Sequence, residues 1–105
     1  MKITELSPAE VQQALAGGKI TLIDVREPAE FKARRIEGAH SMPLSTFDPR
    51  HVPSPKDRAV IFHCGVGRRS AMAIEKCAAA GVAHSTHLQG GLEAWIAAGL
   101  PTVSS

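Results

Sequence analysis

Short apolar runs alternate along this chain with longer segments whose apolar residues recur at helical spacing. The runs 20–25 and 59–62 are continuous and rich in β-branched residues, which is typical of strands buried on both faces of a sheet. Weaker extended segments are predicted over 36–44 and 82–88. Helices are predicted between residues 7 and 17 and over 27–35, 69–80 and 91–98. Strands that alternate with helices predict an α/β fold, with a mainly parallel central sheet of about five strands and helices on both faces.

Residues with capping and turn preferences mark the ends of these elements. Ser7 suits the N-cap of the first helix, Pro8 suits its first position, and Glu10 completes a capping box. Two glycines at 17–18 end that helix. The segment 45–56 is rich in proline, serine and charge, so it is predicted to be a surface loop with room for one helical turn.

Length and composition exclude several classes of protein. With 105 residues, 44% of them hydrophobic and 21% charged, the chain predicts one domain over 1–105. A net charge of +2 and an aromatic content of 4% are too low for a nucleic-acid binder. No stretch approaches the ~18 consecutive apolar residues of a membrane span, and residues 2–22 lack the apolar stretch of a signal peptide. We therefore expect a cytoplasmic protein without a membrane segment.

The two cysteines lie in contrasting surroundings. Cys64 follows the predicted strand 59–62 and precedes the helix 69–80, at the carboxyl end of a strand, where α/β sheets bind ligands. Glycines in the connecting loop allow backbone N–H groups to converge in an anion-binding nest, and the helix start adds positive potential. A cysteine in that position is expected to have a lowered pKa and to act as a nucleophile. The nest would consist of Gly65, Val66, Gly67, Arg68, Arg69 and Ser70.

Cys77 belongs to the apolar side of the same predicted helix, so we expect it to pack in the core. Roughly 12 Å of helix rise would separate it from the helix start, which is too far for a disulfide with Cys64. Two cysteines are also too few for a disulfide scaffold or a four-cysteine zinc site.

Three blocks of sequence, in order along nearly the whole chain, resemble the signatures of the rhodanese-like sulfurtransferases. The blocks are LIDVR at 22–26 with EF at 30–31, IEGA at 36–39 and MP at 42–43; CGVGRRS at 64–70; and GGLEAW at 90–95 with GLP at 99–101. Each block alone is weakly specific. Their order and spacing together identify the chain as a member of this family.

The resemblance implies a sulfur relay that uses no metal and no organic cofactor. The Cys64 thiolate would attack the sulfane sulfur of a donor such as thiosulfate or a persulfide, and thiosulfate would leave as sulfite. The persulfide on Cys64 would then pass its outer sulfur to a thiophilic acceptor. That acceptor is cyanide in the standard assay, and a thiol or a protein sulfur acceptor in the cell. Such a two-step covalent mechanism predicts ping-pong kinetics.

Some positions depart from the pattern of the family. Gly65 stands where a cationic residue is usual in members that use thiosulfate, and Arg68 and Arg69 would supply that charge from the other side of the loop. Arginines at 34–35 replace the usual glycine and histidine, and Ser41 replaces the usual asparagine. These departures leave the physiological sulfur donor open, but not the nucleophile.

Loop length argues against the phosphatases that are related to this family. Those relatives place an arginine six positions after the catalytic cysteine, where this chain has Ser70, and Arg69 arrives one position early. Phosphatase and arsenate-type activities are therefore disfavoured, because phosphoryl transfer needs the larger loop and its bidentate arginine. The alternative that remains is a non-catalytic or regulatory interaction module of the same fold, whose usual mark is loss of the cysteine at position 64.

Three charged residues near the predicted site have structural explanations as well as functional ones. Asp24 and Arg26 share a strand face, and we expect a charge pair that braces the loops rather than a catalytic pair. Arg35, with its neighbour Arg34, is expected at the solvated end of a helix. Drawing anionic substrates toward the site is the less favoured role for these arginines.

The histidines and the tryptophan are also expected to have structural roles. His63 should pack rather than act as a base for Cys64, because adjacent residues at a strand end point apart. His84 and His87 would face opposite sides of a strand, which disfavours a shared metal ion. Trp95 should anchor the last helix in the core, where its indole N–H needs a hydrogen-bond partner.

Overall fold

Five short strands form one parallel sheet in the computed structural model, which describes residues 3–53 and 58–104. The strands are β1 (Thr4–Leu6), β2 (Ile20–Asp24), β3 (His40–Ser41), β4 (Ala59–His63) and β5 (Thr86–Leu88). The helices are α1 (Pro8–Ala16), α2 (Pro28–Ala33), α3 (Arg68–Ala79) and α4 (Gly91–Ala97). The predicted α/β fold with a parallel sheet of about five strands is confirmed.

The strand order β1-β5-β4-β2-β3 places β4 in the middle of the sheet. β2 pairs with β4 along its whole length, from Ile20 opposite Ala59 to Asp24 opposite His63. These strands and β5 are parallel, so their carboxyl ends lie at one edge of the sheet. Cys64 is the first residue beyond β4 and lies at that edge. The sheet therefore presents the predicted loop where α/β folds bind ligands.

Side chains alternate between the two faces of the sheet and form a core on each. The first core lies under α1 and α4 and contains Val11, Ile20, Leu22, Ile36, Ile61, Leu88, Leu92 and Trp95. The second core lies under α3 and contains Ile23, Val25, Val60, Phe62, Cys64, Ala73, Ile74 and Cys77. Helices cover both faces as the sequence predicts, and removal of these apolar side chains from water is the main force that holds them on the sheet.

Two predictions about the helices are confirmed in detail. The N–H of Glu10 donates to the Ser7 hydroxyl (3.2 Å), and the N–H of Ser7 donates to the Glu10 carboxylate (2.9 Å), which completes the capping box of α1. Trp95 is 2% exposed and anchors α4 in the core. Its indole N–H donates to the carbonyl of Pro101 at 2.8 Å.

The strands differ in extent from the prediction because pairing, and not apolar content alone, decides where they begin and end. The sequence does not predict β1, which has three residues of which only Leu6 is partly buried. Its order comes from pairing with β5. The extended segments predicted over 36–44 and 82–88 contain strands of only two and three residues. β3 pairs with just the last two residues of β2, and β5 begins where the chain reaches β1 and β4.

The loop predicted over 45–56 passes through two single turns of 3-10 helix, at Leu44–Thr46 and Pro49–His51, rather than one helical turn. Residues 54–56 of that prediction lie outside the described residues. In the described part of the chain, no helix has both the length and the apolar content that crossing a membrane requires.

Candidate active site

The loop between β4 and α3 forms a nest around the sulfur of Cys64. Cys64 is fully buried, and its Sγ accepts hydrogen bonds from the N–H groups of Gly67 (3.1 Å) and Ser70 (3.4 Å). Gly67 has a φ of +107°, a left-handed conformation that favours glycine, and it lets the chain turn directly into α3. Backbone N–H groups therefore converge on one sulfur atom, and they favour an anionic form of that sulfur.

Burial raises the pKa of Cys64, but hydrogen bonds to its sulfur more than offset this effect. The N–H and hydroxyl of Ser70 and the N–H groups of Gly67 and Val66 favour the thiolate, so the pKa lies below the ordinary value for a thiol. Cys77 packs in the core, where burial raises its pKa. Both cysteines are free thiols. The structure thus places the two thiols in the contrasting surroundings that the sequence predicts.

The first turn of α4 holds the other side of the loop. The N–H of Leu92 donates to the Cys64 carbonyl (2.8 Å), and the N–H of Glu93 donates to the Gly65 carbonyl (3.0 Å). A Cβ at Gly91 would lie 2.5 Å from the Cys64 carbonyl oxygen, so only glycine permits this close approach. These two hydrogen bonds hold the peptide groups at the start of the loop against α4. The carboxyl-terminal signature block is therefore linked directly to the loop.

Arg69 extends along the loop but is bound by a carboxylate from α2. Its guanidinium makes two hydrogen bonds with Glu30, at 2.7 Å (Nη1–Oε1) and 3.0 Å (Nη2–Oε2), and these bonds lower the pKa of Glu30 to about 2. A Cβ at Gly65 would lie 3.3 Å from Arg69 Nη2, so the guanidinium lies against the start of the loop. Arg68, in contrast, is exposed. Part of the positive charge expected from the two arginines is thus neutralised by a partner that sequence reasoning missed.

Asp24 and Arg26 form the predicted charge pair. Both are buried, with Arg26 Nη2 at 2.8 Å from Asp24 Oδ2 and Arg26 Nε at 3.1 Å from each carboxylate oxygen. Arg26 also donates to the carbonyl of Arg34, so the pair braces the end of α2 against the sheet. His63 lies opposite Asp24, with Nε2 at 3.5 Å from Oδ2, and burial lowers its pKa. Its ring packs on the face of the sheet away from the Cys64 side chain, as strand alternation predicts.

Of the two arginines predicted at the end of α2, Arg34 is the C-cap of the helix, with its N–H bound to the Glu30 carbonyl, and Arg35 is the first residue beyond it. Arg34 has an extended backbone (φ −164°, ψ 130°), because the chain leaves the helix to pair with the carboxyl-terminal segment. Arg35 exchanges backbone hydrogen bonds with Val103, and its guanidinium lies 5.1 Å from the centroid of the Phe31 ring. These contacts tie two distant segments together. A role of Arg35 in attracting anionic substrates stays a prediction.

His87 lies beside the loop. The sequence points to it only as a candidate metal ligand together with His84. Its Nδ1 lies 2.7 Å from Ser70 Oγ and its Nε2 lies 3.1 Å from Glu5 Oε2. Ser70 Oγ in turn lies 3.6 Å from Cys64 Sγ. His84 packs edge-on against an aromatic ring of the core instead. The only signal for His87 in the sequence is its place near the carboxyl end of a predicted strand.

Comparison with known proteins agrees with this fold and these blocks. The family model described as rhodanese-like domain matches residues 7–98. The chain is 39% identical over 100 residues to the uncharacterized protein slr1261 of Synechocystis. That match covers 95% of this chain and 56% of slr1261. The chain is 33% identical over 103 residues to a sulfurtransferase of Allochromatium vinosum, which covers 97% of this chain and 96% of that protein. The solution structure of the rhodanese-like domain of the Alr3790 protein from Anabaena has 27% identity and a TM-score of 0.82, and the match covers 100% of this chain and 81% of that chain.

The chain belongs to the rhodanese-like domain family. It spans just over half the length of slr1261 and nearly the whole length of the Allochromatium sulfurtransferase.

Proposed function

We propose that this protein is a sulfurtransferase that carries sulfane sulfur as a persulfide on Cys64. The observation that carries the proposal is the position of Sγ inside the loop, where it accepts hydrogen bonds from the N–H groups of Gly67 and Ser70. Hydrogen-bond donors of this kind stabilise an anion at the sulfur, and both the attacking thiolate and the persulfide are anions there.

The reaction takes place in two displacement steps. The Cys64 thiolate attacks the outer sulfur of thiosulfate or of a persulfide donor, an S–S bond to Cys64 forms, and the S–S bond of the donor breaks. The leaving group, sulfite in the case of thiosulfate, departs with the electron pair. An acceptor, cyanide or a thiolate, then attacks the outer sulfur, and Cys64 leaves as the thiolate.

Access to the sulfur requires the loop to open. Cys64 has no exposed surface in this conformation, so a donor reaches Sγ only when loop residues move apart. Gly65 and Gly67 provide the backbone freedom for that movement. A small donor needs the least opening, which favours thiosulfate or a low-molecular-weight persulfide over a bulky one.

The size of the loop supports sulfur transfer over phosphoryl transfer. The sixth residue after Cys64 is Ser70, whose N–H and hydroxyl both lie near Sγ. The guanidinium of Arg69 is already bound on two nitrogens by Glu30 and is not directed at an oxyanion in the nest. Phosphoryl transfer uses an arginine that is free to bind phosphate oxygens in a bidentate manner.

A non-catalytic interaction module is the second candidate. It would need no activated thiol, whereas here hydrogen bonds favour ionisation of Cys64 despite burial. We further infer that residues 1–105 act as one rhodanese-like domain, since the family match extends over 7–98 and both cores share one sheet. Free thiols suit a reducing compartment, and the cytoplasm is the one that we propose.

The test is the intact mass of the protein after incubation with thiosulfate. The proposal predicts a gain of about 32 Da, the mass of one persulfide sulfur, and release of that sulfur when cyanide is added. Cys64→Ser should show no gain, whereas Cys77→Ala, which removes the other thiol, should gain sulfur as the parent does. If the parent takes up no sulfur from thiosulfate or from a low-molecular-weight persulfide, the interaction module is the better description.

A further inference from the structure

A chain of hydrogen-bonding groups leads from the sulfur of Cys64 to the surface. Ser70 Oγ lies 3.6 Å from Cys64 Sγ and 2.7 Å from His87 Nδ1, and His87 Nε2 lies 3.1 Å from Glu5 Oε2. Ser70 and His87 are buried, whereas the Glu5 side chain is 50% exposed. The chain therefore connects the closed interior of the loop with solvent.

Strand order brings these groups together from distant parts of the sequence. Glu5 in β1 is the register partner of His87 in β5. The other neighbour of β5 is β4, and Cys64 follows directly after β4. Ser70 lies in the first turn of α3. Neither Glu5 nor His87 belongs to the three signature blocks or has a part in the displacement steps described above.

Each hydrogen bond in this series of groups pairs one donor with one acceptor, whether Cys64 is a thiol or a thiolate. An ionised Glu5 only accepts, so His87 Nε2 carries a hydrogen and Nδ1 is free to accept from the Ser70 hydroxyl, whose oxygen then accepts from the thiol. After proton transfer the directions reverse, and Nδ1–H donates to Ser70 Oγ while the hydroxyl donates to the thiolate. The carbonyl of Gly67, at 3.2 Å from Ser70 Oγ, is a competing acceptor that lies farther away than Nδ1.

We propose that Ser70, His87 and Glu5 form a proton relay that deprotonates Cys64 before it attacks the sulfur donor. The inference rests on the proposed role of Cys64 as the nucleophile. The S–H bond of Cys64 breaks, Ser70 Oγ takes that proton and gives its own to His87 Nδ1, and the Glu5 carboxylate stabilises the imidazolium. The electron pair left on sulfur then forms the S–S bond to the donor as the S–S bond of the donor breaks. His87 acts through Ser70 and is therefore a positioning residue.

The proton on His87 leaves to water through the exposed end of the chain at Glu5. Cys64 is released as a thiolate when the acceptor removes the sulfur, so the next turnover needs no new deprotonation until water returns a proton. Histidine suits this role because one ring nitrogen can accept a hydrogen bond while the other donates one. The arrangement places a nucleophile, a base and a carboxylate in series, with a hydroxyl between the first two.

Other charged groups near the sulfur do not replace the relay. From α3, Arg69 contributes a positive charge, which is paired with Glu30 of α2. From β4 and β2, His63 and Asp24 lie on the opposite face of the sheet. Around His87, the described contacts include one charged group, the carboxylate in β1 already named.

The test measures alkylation of Cys64 by iodoacetamide as a function of pH, with the product located on the Cys64 peptide by mass spectrometry. We expect His87→Gln to slow alkylation roughly tenfold at neutral pH and to leave it near the parent rate at alkaline pH, where the thiol ionises without a base. A purely structural defect would instead change the rate at every pH. The matched control is His84→Gln, which replaces a buried histidine outside the relay. Its rate of alkylation should depend on pH as that of the parent does.

Glu5→Gln provides a second test that alters no buried group. The amide oxygen still accepts from His87 Nε2, but the charge that stabilises the imidazolium is lost, so we expect a smaller shift in the same direction. Unchanged pH profiles in both variants would overturn the relay. If His87→Gln fails to fold, the profile of Glu5→Gln decides the question alone.

The same proteins separate the relay from the proposed function. Alkylation reports on ionisation of Cys64 and involves no sulfur transfer, whereas the mass gain with thiosulfate reports on sulfur uptake. Shifted profiles in a protein whose parent takes up no sulfur would support the relay and contradict the sulfurtransferase. Sulfur uptake with unshifted pH profiles would support the sulfurtransferase and contradict the relay.

Discussion

Cys64 and Cys77 lie in the same core and are equally buried, yet the pKa values of their thiols are shifted in opposite directions. Each residue is 0% exposed, and both pack on the face of the sheet under α3. Burial raises the pKa of both thiols. At Cys64 the N–H and hydroxyl of Ser70 and the N–H of Gly67 more than offset that effect. The comparison shows that hydrogen-bond donors, and not exposure, distinguish the activated thiol from the inert one.

The difference originates in where each sulfur lies relative to α3. The first four N–H groups of a helix have no partner within it, and the N–H of Ser70 in the first turn is one of these. Cys77 lies in the third turn, where the backbone N–H groups are already used by the helix. A thiol held against the helix start thus finds free donors, and a thiol inside the helix finds none.

The largest effect is expected from exchanging the sulfur itself. Cys64→Ser should abolish thiosulfate:cyanide sulfur transfer while preserving the fold, because a serine hydroxyl in the same nest is neither ionised at neutral pH nor reactive toward sulfur. Cys77→Ala should retain the turnover of the parent. Steady-state assays with circular dichroism spectra as the folding control make this measurement. More than a few per cent of parent activity in Cys64→Ser would mean that another residue is the nucleophile.

Enlarging the nest should weaken the donors that distinguish the two thiols. One residue inserted between Gly67 and Arg68 moves Arg69 to the sixth position after Cys64 and displaces Ser70 from the sulfur. Sulfur transfer should then fall at least about tenfold, a loss of about 1.4 kcal/mol of transition-state stabilisation. Parent and insertion proteins would be assayed for thiosulfate:cyanide transfer and for aryl-phosphate hydrolysis. A parent that hydrolyses the phosphate well but accepts no sulfur would show that the argument from loop length is wrong.

The two thiols should also separate in a pH series of alkylation. As the pH rises, Cys64 ionises first because its pKa is lowered, and Cys77 ionises last because its pKa is raised. At neutral pH we expect Cys64 to react at least about tenfold faster. Peptide mass spectrometry measures both rates in one sample. In denaturant the rates should converge, and a difference that persists there would contradict an origin in the folded structure.

The smallest effect is expected from emptying the inert position. Cys77→Ala removes one buried sulfur and should lower the free energy of unfolding by about 1 kcal/mol, with little change in turnover. Urea denaturation followed by tryptophan fluorescence, with Trp95 as the probe, measures the change. A large loss of activity in a stably folded variant would instead identify Cys77 as a resolving thiol.

Much of the fold could be predicted because apolar runs and capping residues are local signals. The runs that become β2 and β4 are continuous and apolar, and the capping box at Ser7 is complete within four residues. β1 could not be predicted, because its three residues carry little apolar area and are ordered by a partner at the far end of the chain. The helix end at Arg34 depends in the same way on pairing with a distant segment.

The loop could be predicted for the same reason, since strand, glycines and helix are adjacent in sequence. Its partners could not. Glu30 reaches Arg69 from α2 across 39 positions, and Glu5 reaches His87 across 82. No spacing rule links residues so far apart. Only the strand order shows that a carboxylate and a histidine lie in line with the sulfur.

The hydrogen bonds from α4 to the loop determine when the loop can fold during synthesis and whether it can be transplanted into another protein. During synthesis the ribosome releases Cys64 and its loop well before Leu92 and Glu93, whose N–H groups hold the loop carbonyls. We therefore expect the nest to reach its final conformation only after α4 has folded against it. Transplanting only the segment 64–70 into another protein would likewise transfer its sequence without its conformation. A transplanted nest would need Gly91 and the start of α4 as well.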